Sequence, residues 1–459
     1  MGYTNLAYVF AAILFILGIK KLSSPKTARK GNTIASIGML IAIIATVVSF
    51  ELLDFKLIVI GMIIGSIIGA TFAIHVEMTQ MPQMVAIFNG FGGGASALVA
   101  SAEYFNKFGT VDQTTFLTAT ITLSVFVGTL TLTGSFIAFG KLQGFISGKP
   151  VVFPGQQAIN GLLALALVVM GVSVSIGGGQ DMNMFYGVLI VAAILGITMT
   201  IPIGGADMPV VISLLNSYSG VAAAATGFVL MNNGLIISGA LVGASGLILT
   251  NIMCKGMNRS LANVIFGAVG LEQKSLEGSG KQMKVKSTTT EEAAMILDAA
   301  DKVIIVPGYG LAVAQAQHAI REVADLLESM GKKVLYAIHP VAGRMPGHMN
   351  VLLAEANVPY EQLKDLGDIN PEFDDCDVAF VLGANDVVNP ASRHDTSSPI
   401  YGMPILNVDK SRTVIVNKRT MNPGFAGIQN ELFGFDNTVM VFGDAKEMLT
   451  TLYKDLKEL

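Results

Sequence analysis

A glycine-rich turn in the C-terminal half of the sequence has the residue types of a dinucleotide site. Gly308, Tyr309 and Gly310 follow a β-branched segment at 302–306 and precede a helical pattern. Gly308 permits a tight turn, Gly310 lets the backbone reach a pyrophosphate, and a helix N-terminus favours the negative charge of that group. Val313 occupies the position of the usual third glycine, so the match is imperfect. The turn predicts dinucleotide binding, with a purely structural tight turn as the alternative.

Two cations after a later predicted strand favour NADP over NAD. An NAD site usually has an acid at the end of the second strand, where it binds the ribose 2′-hydroxyl. The predicted strand 333–338 instead runs into His339 and Pro340 without an acid, whereas Lys418 and Arg419 follow a later strand. Ligands bind at the carboxyl ends of such strands, where these cations suit a 2′-phosphate. The alternative is an ordinary solvated strand end.

A carboxylate ends another predicted strand. Asp386 closes the Gly-Ala-Asn-Asp segment at 383–386, which follows the predicted strand 378–382. Since the carboxyl ends of parallel strands share one edge, this side chain is expected to face the same crevice. Three roles stay open for it on sequence alone: binding a ligand, capping a helix, or changing its protonation when a ligand binds.

Several polar residues lie in or near long apolar segments of the N-terminal part, namely Asn89, Ser96, Ser135 and Asn216. Polar side chains at membrane depth are costly, which makes them candidates for function. Each one alone can simply hydrogen-bond a neighbouring helix, and as a group they can form a proton or ion path. Asp207 lies in a short connection between two segments, where it can anchor a loop or a docked domain.

The apolar segments are long enough to cross a bilayer, which takes about 20 residues. Basic residues favour one set of connections over the other by nine to two, and this bias marks the cytoplasmic side. With an odd number of spans, the N-terminus is expected outside and the C-terminal part in the cytoplasm. The nine predicted spans are 4–22, 32–50, 57–75, 84–102, 116–139, 158–176, 185–203, 210–230 and 235–254.

Charge divides the chain into two parts with different solvents. Of 459 residues, 52% are hydrophobic and 14% are charged. Residues 1–259 hold 11 basic and 7 acidic side chains, a net charge of +4, whereas residues 260–459 hold 18 and 26, a net charge of −8. We therefore predict a polytopic α-helical membrane domain at 1–259, a linker at 260–290 and a cytoplasmic domain at 291–459. The acidic second part and the two isolated cysteines argue against nucleic-acid binding, a disulfide framework and a metal site.

Strand and helix patterns alternate in the C-terminal domain. A helix is expected from Glu291, and a second helix over 311–330 lies between the first two strands. Such alternation is typical of a Rossmann-like, doubly wound α/β fold with a parallel sheet. The predicted strands are 302–306, 333–338, 378–382, 405–408, 413–416 and 438–442.

Long blocks of the sequence resemble a known family. Together they are similar to the beta subunit of proton-translocating NAD(P) transhydrogenase, and the resemblance runs through nearly the whole chain. The blocks are GGADMPVVISLLNSYSG at 204–220, CKGMNRS at 254–260, GYGLAVAQAQ at 308–317, HPVAGRMPGHMNVLLAEA at 339–356, GANDVVNP at 383–390 and NKRTMNPGFAG at 417–427.

The resemblance implies a function shared between subunits. The N-terminal part would belong to a proton-conducting membrane domain, and the remainder would bind NADP(H). A separate alpha component would bind NAD(H), contribute further membrane helices and dock on the NADP(H) domain. Hydride would pass between the two nicotinamides, coupled to inward proton movement across a bacterial inner membrane. A dimer of such heteromers is also implied.

The resemblance also assigns roles to individual residues. Asp386 resembles an acid that links nucleotide occupancy to protonation, and residues 422–430 resemble a loop that folds over NADP. Asn89 is a departure, because many family members have a His there and an amide does not titrate near neutral pH. The proton carrier is then expected on a partner's membrane helix, with Asn89, Ser135 and Asn216 as hydrogen-bonding supports. The residues implied to bind the nucleotide are Gly308, Tyr309, Gly310, Val313, Arg344, Asp386, Lys418, Arg419, Gly424 and Phe425.

Two other classes of protein stay open on composition alone. A transporter or channel with a regulatory cytoplasmic dinucleotide-binding domain fits the spans and the strand-helix-strand unit equally well. A quinone-linked membrane dehydrogenase is a weaker alternative, because it would need a flavin or iron–sulfur centre, which two isolated cysteines cannot provide. Specific binding of NADP and a required NAD(H)-binding partner would distinguish a transhydrogenase from both.

Overall fold

The computed structural model shows two compact units. Among the described residues, the first comprises those up to 251 together with 261–266, and the second comprises 252–258, 260 and those from 284 to 459. The two units differ in fold class. The structure describes residues 2–49, 55–110, 114–148, 150–177, 181–205, 207–258, 260–266, 284–343, 347–398, 400–424 and 426–459.

The first unit is a bundle of long apolar helices. Within the residues that the structure describes, nine helices are long and apolar enough to cross a bilayer. Each coincides with a predicted span, so the chain is a multi-pass membrane protein. The helices are α1 (Gly2–Leu22), α2 (Pro25–Ser49), α3 (Phe55–His75), α4 (Met81–Lys107), α5 (Thr115–Gln143), α6 (Gln156–Ile176), α7 (Met182–Thr200), α8 (Met208–Val229) and α9 (Asn233–Gly256), followed by the short α10 (Leu261–Phe266).

The centre of this bundle is formed by α4, α5 and α8, whose apolar segments are half or more buried. Helix α5 packs against α4, α7 and α8. Glycines bring the backbones close together, since a Cβ atom on Gly93 of α4 would lie 2.8 Å from the carbonyl oxygen of Gly128 on α5. Such close approach replaces the hydrophobic driving force that helices lack in lipid. These helices therefore hold their polar side chains in a fixed arrangement.

The second unit is built on a six-stranded parallel sheet in the order β3-β2-β1-β4-β5-β6. This is the strand order of doubly wound dinucleotide-binding folds, and it confirms the predicted fold class. Its central strands are buried apolar runs, as expected where helices cover both faces. The strands are β1 (Lys302–Pro307), β2 (Lys333–Ile338), β3 (Leu363–Asp365), β4 (Val378–Leu382), β5 (Thr413–Lys418) and β6 (Thr438–Phe442).

One predicted strand is wrong, and one observed strand was not predicted. Residues 405–408 form a buried loop that ends in a 3₁₀ turn. Their backbone bonds to other partners: the Leu406 N–H donates to the Val387 carbonyl, and the Asn407 N–H donates to the Asn370 side chain. The apolar residues of this segment are buried, as in a strand, but within the described part of the chain the segment pairs with no neighbouring strand. The added strand is the short, polar edge strand β3.

The helix predicted over 311–330 is interrupted. It is split into α12 and α13 at Gln315, which has a left-handed φ of 48°. The Ala316 N–H bonds back to the Leu311 carbonyl, and the Gln315 N–H bonds to the Ala312 carbonyl. This is the Schellman pattern that ends a helix, here without the usual glycine. The helices are α11 (Thr290–Asp298), α12 (Tyr309–Val313), α13 (Gln317–Ser329), α14 (His348–Glu355), α15 (Leu366–Ile369), α16 (Ala391–His394) and α17 (Ala445–Glu458).

The end of the predicted linker lies on the sheet. Ser287 forms a parallel bridge with Met440 of β6, and the Met440 N–H donates to the Lys286 carbonyl at 2.7 Å. Val285 packs against the core that lies under the sheet. Residues 267–283 of the linker lie outside the described residues.

Candidate functional site

The carboxyl ends of β1 and β4 meet at the point where the strand order reverses. Doubly wound sheets bind their ligands in the crevice outside this point. The turn after β1 carries Gly308 to Gly310, and the loop after β4 carries Gly383 to Asp386. The strand next to β4 is β5, which ends with Lys418. The structure therefore brings the predicted turn, acid and cation to one edge of the sheet.

The glycines of the first turn fit closely against the loop after β4. The Gly308 N–H donates to the Leu382 carbonyl at 2.8 Å, and the Gly310 N–H donates to the Gly383 carbonyl at 2.9 Å. A Cβ atom on Gly308 would collide with Ala384, and one on Gly310 would lie 2.6 Å from the Gly383 Cα. Packing alone thus requires glycine at both positions. Their contact with a pyrophosphate stays a prediction.

The other residues predicted to bind the nucleotide near this turn differ in their exposure. Tyr309 is half-buried, and its ring lies 6.1 Å from the ring of the buried His348. Val313 is exposed on α12. Arg344 and Phe425 lie outside the described residues. Their predicted nucleotide contacts stay predictions.

Asp386 and Lys418 are joined by an asparagine that lies between them. The Asn385 Nδ2 donates to Asp386 Oδ1 at 2.8 Å, and the Lys418 Nζ donates to Asn385 Oδ1 at 2.9 Å. All three side chains are half-buried. Sequence reasoning selected the acid and the cation but not the amide, although its position next to Asp386 was visible.

The described residues of the 419–430 loop, 419–424 and 426–430, contact this group. The Ala426 N–H donates to Asp386 Oδ2 at 3.0 Å, and the Lys418 Nζ also donates to the Asn422 carbonyl at 2.9 Å. A Cβ atom on Gly424 would lie 2.7 Å from Asp386 Oδ1, so a larger residue would push the loop away. The loop contains residues 422–430, the segment that the resemblance implies would fold over the nucleotide, and that role stays a prediction.

Two buried asparagines that sequence reasoning did not select also hold the loop. The Asn430 Nδ2 donates to the Asn385 carbonyl at 2.9 Å, and the Asn389 Nδ2 donates to the Gln429 carbonyl at 3.1 Å. Ala426 packs on a small apolar cluster beside them. The loop is therefore held by two side-chain amides in addition to Asp386 and Lys418, and such amides carry no periodic signal in a sequence.

A cavity of about 230 Å³ lies beside Lys418. The ammonium sits 4.8 Å from the centre of the Phe433 ring, and its burial lowers the pKa of Lys418, while Asp386 opposes that shift. A desolvated cation beside an open space favours an anionic ligand. Arg419 is exposed next to it. The cavity is lined by Asn385, Lys418, Met421, Pro423, Gln429, Asn430 and Phe433.

The end of β2 holds a neutral histidine and no acid. His339 is buried, its Nδ1 accepts from the Val341 N–H at 3.2 Å, and its Nε2 therefore donates to the Pro404 carbonyl at 2.7 Å. Burial lowers the pKa of His339 from 6.5 to about 4, although the bond to Pro404 favours the charged form. The position that recognises NAD in many related folds is thus uncharged here.

In the membrane unit, Asn89 and Ser135 lie at the junction of three helices. The Asn89 Nδ2 of α4 donates to the Ile212 carbonyl of α8 at 3.1 Å. Ser135 of α5 is fully buried, and its Oγ has no hydrogen-bond partner among the described residues. A Cβ atom on the neighbouring Gly90 would lie 3.1 Å from the Ser135 Cβ. Asn216 is half-buried one turn further along α8.

The remaining membrane candidate is Asp207, which is half-buried at the N-cap position of α8. The connection between α7 and α8 binds a buried cation that was not selected from the sequence. The Lys141 Nζ of α5 donates to the carbonyl oxygens of Ile201 and Ile203, just after α7, at 2.5 and 2.8 Å. Lys141 thereby binds two carbonyl groups of the connection that follows α7, and the Ile201 carbonyl also accepts from the Val151 N–H at 3.3 Å.

A pair of buried hydroxyls joins α5 to α8. Ser124 Oγ and Thr226 Oγ1 are 2.7 Å apart. Both also reach the carbonyl oxygens of Ser96 and Ala222, at distances between 3.0 and 3.4 Å. Each hydroxyl has one proton, so either can donate to the other while the second donates to a carbonyl. Of the polar residues predicted in the membrane part, Ser96 takes part in this network through its carbonyl oxygen.

Comparison with known proteins decides between the classes that the sequence left open. The sequence model of the NAD(P) transhydrogenase beta subunit matches residues 4–455. The chain belongs to the NAD(P) transhydrogenase beta-subunit family. The NAD(P) transhydrogenase subunit beta of Rhodospirillum rubrum is 52% identical over 454 residues, which cover 97% of each chain. The same subunit from a named strain of that species gives the same figures.

Membership of the transhydrogenase beta-subunit family confirms the resemblance seen in the sequence blocks. It places the chain in the enzyme class of NAD(P) transhydrogenases and implies an alpha-subunit partner. The fold agrees, because long apolar helices and a doubly wound parallel sheet occur in one chain. The alternative of a transporter with a merely regulatory nucleotide domain is not favoured by any of these findings.

Proposed function

We propose that this chain is the NADP(H)-binding, proton-conducting subunit of a proton-translocating transhydrogenase in a bacterial inner membrane. Its alpha partner binds NAD(H) and adds membrane helices, and the complex is a dimer of heteromers. The N-terminus lies outside, and the second unit lies in the cytoplasm. The observation that carries this proposal is the half-buried Lys418 ammonium beside a cavity at the ligand-binding edge of the sheet.

The residues at this edge fit a phosphorylated dinucleotide. Lys418 and the exposed Arg419 supply two cations, which suit a 2′-phosphate at the carboxyl end of β5. The end of β2 has the neutral His339 in place of the acid that an NAD site uses. Tyr309 and Gly310, half-buried at the turn after β1, remain accessible beside the helix N-terminus. The donor set therefore favours NADP(H) over NAD(H).

NADP(H), when bound, supplies the hydride acceptor or donor. The residues of this chain contribute position rather than covalent chemistry. Lys418 and Arg419 hold the phosphorylated end, and the 419–430 loop excludes water from it. Asp386 holds the loop through the Ala426 N–H and places a titratable group within reach of the bound charge. Direct hydride transfer needs the two nicotinamides close and aligned, which such positioning provides.

In the membrane unit, this chain supplies hydrogen-bonding groups to a proton path. Asn89, Ser135 and Asn216 are neutral, and an amide or hydroxyl does not exchange charge near neutral pH. We assign the titrating group to a side chain of a partner helix, which these residues orient. Asp207 sits at the start of the helix that carries Asn216 and marks the inner end of this path. Proton binding can favour one domain arrangement over another only if the proton binds the two arrangements with different affinities.

The test is a reconstituted complex. The purified chain and its candidate alpha partner are placed in vesicles with an internal pH dye, and NADPH-dependent reduction of an NAD analogue is followed. We expect hydride transfer only with both polypeptides, accompanied by a pH change across the membrane. An imposed pH gradient should shift the rate.

Two results would contradict different parts of the proposal. Binding of NAD as tight as that of NADP to this chain would refute the cofactor assignment. Hydride transfer at an unchanged internal pH, and without response to an imposed gradient, would refute proton translocation. A transporter with a regulatory nucleotide domain would show solute or ion flux and no hydride transfer.

A further inference from the structure

The ammonium of Lys418 has one hydrogen-bond donor left for a ligand. Its Nζ donates to Asn385 Oδ1 and to the Asn422 carbonyl, each at 2.9 Å. An ammonium carries three N–H donors, and among the contacts of the described residues the third meets no oxygen or nitrogen acceptor. The same side chain lines the cavity of about 230 Å³. The third N–H is therefore available to an anion in that cavity.

A further contact of the ammonium is the face of an aromatic ring. Lys418 Nζ lies over the ring of Phe433, 4.8 Å from its centre. The negative face of an aromatic ring attracts a cation within about 6 Å, most strongly where water is excluded. Burial lowers the pKa of Lys418, so its charged form gains from such a contact. An oxygen at this position would take the third N–H, whereas a ring stabilises the charge and accepts only weakly.

The position of this ring is fixed by an asparagine at the end of the loop. Phe433 lies in a short 3₁₀ turn whose N-cap residue is Asn430. The Asn430 Oδ1 accepts from the Leu432 N–H at 3.0 Å, and its Nδ2 donates to the Asn385 carbonyl at 2.9 Å. Phe433 is also buried in the core that lies under the sheet. The ring and the amide that accepts from Lys418 are thus held in place relative to each other.

We propose that Phe433 is a positioning residue that aims Lys418 at the 2′-phosphate and thereby contributes to the preference for NADP(H) over NAD(H). This inference rests on the proposed NADP(H) site. The ring holds the ammonium beside the cavity and leaves its third N–H to donate to a phosphate oxygen. Without the ring, the flexible lysine side chain would be less ordered before binding. Its ordering would then oppose the binding of the phosphate.

An aromatic ring beside a nucleotide site can also stack on a base. The adenine is common to NADP⁺ and NAD⁺, whereas only NADP⁺ carries a 2′-phosphate. A stacking ring would therefore favour both coenzymes, and a ring that positions Lys418 favours NADP⁺ alone. A ring that only fills the core would affect the stability of the unit and not the ratio of the two affinities. That ratio distinguishes the three roles.

The test measures both affinities on the purified full chain without its alpha partner, so that a second NAD(H) site does not contribute. NADP⁺ binding is followed by calorimetry, and NAD⁺ binding by competition with NADP⁺. Phe433→Leu should lower NADP⁺ affinity about 3- to 20-fold, because it removes a cation–π contact. NAD⁺ affinity should stay the same. Phe433→Tyr keeps the ring face and should retain the preference for NADP⁺.

A sharper measurement replaces Phe433 by a series of fluorinated phenylalanines. Fluorine withdraws electron density from the ring face and leaves the shape of the ring almost unaltered, so successive fluorines weaken the attraction of a cation stepwise. NADP⁺ affinity should fall along the series, and NAD⁺ affinity should not. The matched control is the same series at Phe373, a fully buried ring of the same core that has no contact with Lys418 among the contacts of the described residues. The control series should change neither affinity.

The outcomes separate this inference from the proposed function. Equal losses of NADP⁺ and NAD⁺ affinity in Phe433→Leu would assign the ring to stacking or to core packing and overturn its positioning role. An NADP⁺ affinity that does not respond to fluorination would overturn it as well, and this measurement decides if Phe433→Leu does not fold. A preference that Lys418→Met abolishes and fluorination leaves intact would reject the role of Phe433 and keep the site. Failure of the unaltered chain to prefer NADP⁺ over NAD⁺ would refute the proposed site and this inference with it.

Discussion

The polar groups of the two units are organised differently. In the second unit, Asp386 and Lys418 are charged, half-buried and bonded through Asn385. In the membrane unit, Asn89 and Ser135 are neutral and buried, and the Ser135 hydroxyl has no partner within the described residues. Charge is far more costly in a bilayer than at the edge of a sheet. The comparison teaches that the charged side chains at the edge of the sheet are linked through Asn385, whereas Asn89 and Ser135 offer only neutral hydrogen-bonding groups to the junction of α4, α5 and α8.

The largest effect is expected from Asn89→Leu, which removes the amide between α4 and α8. Proton pumping by the reconstituted complex should fall to background, because an apolar side chain cannot orient a proton carrier. A dye inside the vesicles measures it. Gln83→Leu is the matched control, since Gln83 is another buried amide of α4 that bonds to the Leu142 carbonyl. Unchanged pumping by Asn89→Leu would show that the membrane path lies elsewhere.

The next effect concerns acid stability of the second unit. The pKa of His339 is lowered from 6.5 to about 4 by burial, so protonation favours the unfolded state. The stability that neutral His339 contributes is complete above pH 6.5 and is lost as the pH falls toward 4, in total about 3 kcal/mol.

This loss can be measured by thermal unfolding of the full chain at pH 7 and pH 5, compared with His339→Gln. The variant should lose less stability on acidification. His318→Gln serves as control, because His318 is exposed on α13. An equal acid response of all three proteins would contradict the assignment.

Lys418→Met tests whether the charge of Lys418 selects NADP⁺ over NAD⁺. Losing a hydrogen bond to a charged ligand costs about 1.5–3 kcal/mol, so NADP⁺ affinity should fall about 10- to 100-fold. Affinity for NAD⁺ should change much less. Arg412→Met removes a cation from the opposite end of β5, where Arg412 pairs with Asp377 at 3.0 Å, and should leave NADP⁺ affinity unaltered. Equal losses in the two variants would point to a general charge effect.

The smallest effect is expected from Thr226→Val, which breaks the buried hydroxyl pair with Ser124. Interhelical hydrogen bonds in membranes contribute about 0.6 kcal/mol on average, so thermal stability should fall only slightly. Thr226→Ser keeps the hydroxyl and should restore the bond. A large stability loss in Thr226→Val would show that neutral hydrogen-bonded pairs contribute more to the stability of the helix bundle than we expect.

Local patterns were sufficient for the elements but not for the contacts between them. Hydropathy placed the nine spans, and β-branched runs placed five of the six strands, because both signals depend on a few consecutive residues. The run at 405–408 misled because burial without ladder partners looks like a strand. The break at Gln315 was invisible because a non-glycine residue adopts the left-handed turn. Asn385 was not selected because its hydrogen bond to Lys418 joins two residues that lie far apart in the sequence.

The backbone contact between the turn after β1 and the loop after β4 has a mechanical consequence. Gly308 and Gly310 lock to Leu382 and Gly383 through main-chain bonds, with no space for a Cβ atom. These contacts leave that part of the crevice little freedom to deform. By contrast, the 419–430 loop is held by side-chain hydrogen bonds, among them those of Asn389 and Asn430. We therefore expect a ligand that enters the crevice to displace the loop more readily than the backbone contact.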